Sequence, residues 1–175
     1  FDHNAKYCSK HYIRLNEVAD EVWLEHVIQF QNTGTYTAYD ILIKDTLPTY
    51  LNLSTMQITA SSHPYAFRLS EHGIADFRFA NIMLPDSVHD EPHSHGFIKY
   101  RIRCKNNLQV NDQIENTSSI YFDYNTPVQT NTALTSVVNS TTGLMNNSES
   151  FFKIYPNPVN NLLTINSRYL LKKIT

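Results

Sequence analysis

Side chains able to do chemistry gather most densely in one short run, HDEPHSH, residues 89–95. His93 and His95 lie two apart, so on an extended strand both imidazoles leave one face, as metal ligands on β-strands do. His89 joins them as the third candidate ligand, with Asp90 or Glu91 able to complete a site. The competing reading is a solvated loop beside Pro85 and Pro92, where polar side chains meet water and need no other role. A second, oxygen-rich set comes from an internal echo, FDHN at 1–4 and FDYN at 122–125. Asp2, Asn4, Asp123 and Asn125 would suit calcium, which wants several hard oxygens, if the two distant segments met. Otherwise each short Asx side chain caps its own turn.

The remaining candidates are sparser. Cys8 and Cys104 are the only cysteines, too few and too far apart for a zinc site, which takes four ligands at close paired spacings. Cys104 closes GFIKYRIRC on the same strand face as Ile98, Tyr100 and Ile102, which reads as a buried free thiol; a Cys8–Cys104 disulfide is the alternative. Aromatic residues make up 12% of the chain, with 11 tyrosines and one tryptophan. Trp23, Tyr36 and Tyr39 are therefore candidates for a platform that stacks on sugar rings, although tyrosines also serve as core and edge residues in sandwiches. There is no G-x-S-x-G elbow and no glycine-rich phosphate loop. Nor does any cleft discipline a choice of paired carboxylates among the 16 acidic residues. We assign no catalytic residue and no cofactor.

The elements that must position these groups are strands. Leu24, His26, Ile28 and Phe30 alternate with more polar residues in WLEHVIQF, the period-two pattern of a half-buried strand. The turn NTGT follows, with Gly34 free to take positive φ. AYDILIKD, LSTMQITAS, GFIKYRIRC, QIENTSSIYFDY and TNTALTSVV read as further strands, and YAFRL with ADFRFANI as a hairpin around SEHG, with Gly73 in its turn. Seven or eight short strands without crossover helices predict an all-β antiparallel sandwich. The net charge of −2 argues against nucleic acid as a partner, since that binding rests on clustered cations. No apolar run approaches the roughly 20 residues of a membrane span, and Phe1 begins no signal peptide. The expected organisation is a sandwich over 1–138, a polar linker over 139–150, and a short, incomplete β tail over 151–175.

Several of these runs carry a family likeness. VIQFQNTGTYTAYDILIKDTLP, FRFANIMLPDS, EPHSHGFIKYRI and IENTSSIYFDYNTPVQTN resemble, in order, the conserved-repeat Ig-like domains of bacterial surface and secreted proteins. The resemblance covers residues 1 to about 138 and departs at YCSKHYIRLNEVAD. It implies an immunoglobulin-like antiparallel β-sandwich that acts as a non-catalytic stalk, spacer or adhesive module, with a glycan or other cell-surface ligand as its partner. After the linker, FKIYPNPVNNLLTIN resembles the start of the C-terminal sorting domain (the Por secretion tail) read by type IX secretion machinery in Gram-negative bacteria. Tyr155, Pro156, Asn157 and Pro158 form its core, and the two prolines fix φ and donate no amide, giving a rigid bend between two strands. The resemblance implies a secreted or outer-surface location, the C-terminal region of a longer exported protein, and a tail that continues past Thr175. DTL at 45–47 and DSV at 86–88 resemble bacterial O-glycosylation acceptors, which would place glycans on Thr46 and Ser87. The alternative function is a carbohydrate-binding sandwich of an exported enzyme.

Overall fold

A computed structural model of the chain describes residues 3–140, 152–155 and 164–167. The chain divides into two compact units, Phe1–Ser140 and Thr141–Thr175. The first is nearly all β. One sheet has the order β1 (Ala5–Cys8), β3 (Trp23–Gln31), β8 (His95–Cys104), β5 (Leu51–Ser61), with β2 (Tyr12–Arg14) placed elsewhere. A second has the order β11 (Val128–Gln129), β10 (Ser118–Phe122), β4 (Ile41–Thr46), β7 (Ile74–Phe79), β6 (Ala66–Leu69). A small third sheet sets β12 (Ala133–Val138) between β2 and β9 (Gln113–Asn116), antiparallel to β9 and parallel to β2.

The alternating patterns bury as expected. Leu24, His26, Ile28 and Phe30 of β3 face Ile102, Tyr100, Ile98 and Gly96 of β8 in register, and all eight are buried. Ile41 and Ile43 of β4 likewise pair with Phe79 and Phe77 of β7. These inner faces meet across the sandwich: Phe30 packs on Phe79 at 5.2 Å between ring centroids, and Phe77 on Tyr100 at 6.0 Å. This is the antiparallel, two-layer arrangement of an Ig-like sandwich. Gly96 is required by close approach, because a Cβ there would lie 2.2 Å from Phe30 Cζ. Gly73 sits at φ +78° in the β6–β7 turn, a conformation glycine adopts without steric cost. Gly34 does not need it: the NTGT turn is held instead by Asn32 Oδ1, which accepts the Gly34 amide at 3.1 Å.

The fold departs from a plain succession of strands at two places. QIENTSSIYFDY is not one strand but two, broken at Thr117, so that β9 pairs with β12 while β10 pairs with β4. The chain changes sheets there, and both flanking residues, Asn116 and Ser118, are buried. The unfamiliar stretch near the start forms β1, β2 and a 3-10 turn over Leu15–Asp20. β1 covers the outer edge of β3, with Lys6 opposite Ile28. The second unit contains β13 (Phe152–Tyr155) antiparallel to β14 (Thr164–Ser167), with Ile154 opposite Ile165. Pro156, Asn157 and Pro158 of the sorting motif lie outside the described residues, as do Asp2 and most of the polar linker. No helix among the described residues is long and apolar enough to cross a membrane.

Candidate functional site

The strongest polar constellation is inside the sandwich, where strand alternation turns five hydrogen-bonding side chains inward. Lys6 from β1, Asp45 from β4, Tyr100 from β8 and Ser118 from β10 are fully buried, and Asn116 at the end of β9 is 2% exposed. Lys6 Nζ donates to Asp45 Oδ2 at 2.5 Å and to Ser118 Oγ at 3.1 Å, and lies 3.2 Å from Tyr100 Oη. The Tyr100 hydroxyl lies 2.6 Å from Asp45 Oδ2 and 3.3 Å from Asn116 Oδ1, a donor to either. Asn116 Nδ2 donates to Asp45 Oδ1 and to the Thr46 carbonyl, each at 2.8 Å. The Asp45 carboxylate is thus gripped at both oxygens, one facing the amine and the other facing the amide. The backbone of β1 is held as well: Lys6 N donates to Asn131 Oδ1 at 2.8 Å, and Asn131 Nδ2 returns to Lys6 O at 2.9 Å.

Burial sets the electrostatics. Desolvation pulls the Lys6 amine below its usual range, against the opposing pull of Asp45. It also pushes the Tyr100 phenol well above its usual value, with Asp45 adding to the shift. The His26 ring stacks on Tyr100 at 5.1 Å, and neither of its nitrogens has a hydrogen-bond partner among the described residues. Burial first, and the Lys6 charge second, lower its pKa to about 3. Burying charge in this way is costly, and replacing a buried ion pair by well-packed apolar residues is often neutral or stabilising. Packing alone therefore gives no reason for a lysine, a carboxylate and an amide to meet in this core. No sequence pattern marks the cluster. Its members are spread from residue 6 to residue 118, and the sequence distinguishes Asp45 only as part of a glycosylation-like triplet.

The sequence-derived candidates fare differently. The histidine run is split among private partners: His89 Nδ1 lies 2.8 Å from Asp86, His93 Nδ1 2.8 Å from Asp90, and His95 Nε2 2.8 Å from Glu91. His93 ends a 3-10 turn whereas His95 opens β8, so the expected shared strand face does not form. Among the described residues no group of three or more His, Cys, Asp or Glu side chains is placed to hold a metal. Asp2 of the calcium set lies outside the described residues, and the other three members make local contacts. Asn4 Oδ1 accepts the Gln31 amide in one sheet, while Asp123 Oδ1 accepts the Tyr39 and Asp40 amides beside the other. Asn125 N closes a turn onto the Phe122 carbonyl, so the described members act as turn and strand caps. Cys8 and Cys104 are both free thiols, the Cys8 sulfur lying 3.4 Å from Thr135 Oγ1.

The proposed sugar platform separates too. Trp23 opens β3 and lies under the Arg101 and Arg103 guanidinium groups at 4.6 and 4.7 Å, while Tyr36 and Tyr39 follow the far end of the same strand. Tyr39 instead lines an open groove with Asp40, Arg78, Asp123 and Tyr124. Of the glycan candidates, Thr46 is exposed and Ser87 half-buried.

Comparisons with known proteins bear on this geometry. The model of a family described as a domain of unknown function, DUF7619, matches residues 2–136. No curated protein matches the chain. Among solved structures, the major pilin subunit of Bacillus cereus, BcpA*(D312A), is similar at 10% identity and a TM-score of 0.54, over 77% of this chain and 40% of the pilin. Domains D2 and D3 of the major pilin SpaD from Corynebacterium diphtheriae are similar at 10% identity and a TM-score of 0.53, over 76% of this chain and 52% of that one. The collagen-binding domain from a Staphylococcus aureus adhesin is 15% identical with a TM-score of 0.47, over 79% of this chain and 99% of that chain. At these identities the likeness is one of fold, and the chain spans only about half or less of the two pilin chains.

Proposed function

The chain belongs to the DUF7619 family, and from the sandwich it forms we propose that residues 1–138 are a non-catalytic spacer or adhesive module of an exported bacterial protein. One observation carries this reading. The first strand is tied both to the core, through Lys6 and Asp45, and to the segment entering β12, the last strand of the first unit, through the paired Lys6–Asn131 hydrogen bonds. A module fastened at both ends suits a part that must hold its neighbours apart under load. Pulling the full chain from its two ends tests it. A spacer holds this unit unextended, or yields it only at high force, whereas gradual extension at low force would overturn the reading. A second reading, carbohydrate recognition, draws on the groove lined by Tyr39 and Tyr124, residues 58% and 105% exposed. A glycan-array signal abolished by Tyr124→Ala would replace the spacer reading with that one.

The finer assignment is that Tyr155–Pro158 and the strands around it begin a type IX sorting tail, directing the protein to the outer surface or medium of a Gram-negative bacterium. The YPNP sequence after a polar linker supports it. Alanine replacement of Tyr155, Pro156 and Pro158 in the whole protein, expressed in a host with that machinery, is expected to leave it in the periplasm. Unchanged surface delivery would remove the assignment.

A further inference from the structure

We propose that Lys6 and Asn116 are joined by an autocatalytic side-chain amide bond, formed inside the folded sandwich with Asp45 as the proton carrier. The juxtaposition supplies each part the reaction needs. Lys6 Nζ is the nucleophile, the Asn116 side-chain carbonyl carbon is the electrophile, and both groups contact the same carboxylate and the same tyrosine hydroxyl.

An ammonium has no lone pair with which to attack. The 2.5 Å contact between Lys6 Nζ and Asp45 Oδ2 is the path by which a proton leaves the amine, giving a neutral amine and a neutral carboxylic acid. Low-dielectric surroundings favour that neutral pair over the ion pair, and the lowered pKa of Lys6 agrees. The amine then adds to Cγ of Asn116. Negative charge develops on Oδ1, which faces the Tyr100 hydroxyl at 3.3 Å, a donor placed where an oxyanion forms. Asp45 Oδ1 lies 2.8 Å from Asn116 Nδ2, so the carboxyl group that took a proton from the amine can deliver one to the departing nitrogen. The Cγ–Nδ2 bond breaks, ammonia leaves, and the second amine proton passes to Asp45 in the same way. The sum is amine plus primary amide giving secondary amide plus ammonia. Nothing is oxidised or reduced and no co-reactant is consumed.

The alternative acceptor, Asp45 itself, would have to lose water with no second carboxyl group among the described residues bonded to it to move the protons. Among the described residues its side-chain hydrogen-bond partners are Lys6, Tyr100, whose phenol is held protonated, and Asn116. The geometry therefore gives the leaving group to Asn116 and the acid–base role to Asp45. Effective concentrations between groups held in contact inside a protein are high enough to drive otherwise slow acyl transfers, and burial shields the product from water.

Intact mass spectrometry of the denatured full chain decides the matter, whether or not the spacer reading of the module holds. The expected mass is that of the sequence less one ammonia, with a branched proteolytic peptide joining Lys6 to Asn116. Lys6→Met, Asn116→Ala and Asp45→Asn are each expected to retain the full sequence mass. The wild-type measurement stands without the variants should any of them fail to fold. A wild-type protein at its full sequence mass overturns the bond. Loss of water with a branch at Asp45 overturns the choice of partner. Loss of ammonia persisting in folded Asp45→Asn overturns the role of the carboxylate.

Discussion

His26, stacked on Tyr100 beside Lys6, resists protonation in the fold, with a pKa lowered from 6.5 to about 3, chiefly by burial. The folded state therefore refuses a proton that the unfolded chain accepts below pH 6.5. Its contribution is level above that pH, falls as pH drops toward 3, and levels off again below. Between pH 7 and 5 this one group should remove about 2 kcal/mol of stability. Urea unfolding at those two values is expected to show that loss in the wild type and its absence in His26→Phe. The two thiols should also part company. Burial, with Cys8 adding to the effect, pushes the Cys104 pKa up to about 12, and the thiolate is the reactive form. An alkylating reagent applied to the folded protein should modify half-buried Cys8 and spare Cys104 until denaturant is added; equal labelling of both would contradict the burial of β8.

At the scale of elements, the β3–β8 pair is the least tolerant of change. Gly96 lies opposite Phe30, whose ring is held in turn by Phe79, so an added methyl at 96 has nowhere to go. Gly96→Ala is expected to cost about 1–3 kcal/mol through overpacking, read as a lower urea midpoint at unchanged slope; a neutral result would mean that Phe30 can leave its place. These two strands are legible in the sequence because their apolar residues alternate without interruption. β1 is not: it is four residues long, and its inward position is a lysine, which breaks the pattern by which strands are recognised. The break at Thr117 is hidden for a related reason. NTSS is uniformly polar, yet Asn116 and Ser118 turn inward while the chain passes from one sheet to the other. The buried cluster is invisible in the sequence because its members come from five different strands, and tertiary convergence leaves no mark in spacing. The histidine run misleads in the opposite sense, since its regular spacing is broken by a 3-10 turn and each ring takes its own carboxylate.

At the scale of the molecule, stability should be uneven between the two units. A lone two-stranded pairing is marginal in water, so amides of β13 and β14 are expected to exchange with solvent far faster than those near Ile28, Ile102 and Ile120 in the first unit. Hydrogen exchange followed by mass spectrometry reads this directly, and equal protection in both would show that the second unit is stable in its own right. The Lys6–Asn131 pairing also sets an order of events in time. Its partners are 125 residues apart, so β1 cannot be fastened until nearly the whole unit has been made and brought together, a slow, non-local closure. Within this unit, the strand made earliest is then among the last to be secured. A chain threaded through an exporter would stay unlatched until residue 131 had cleared the channel, and would latch only on the far side.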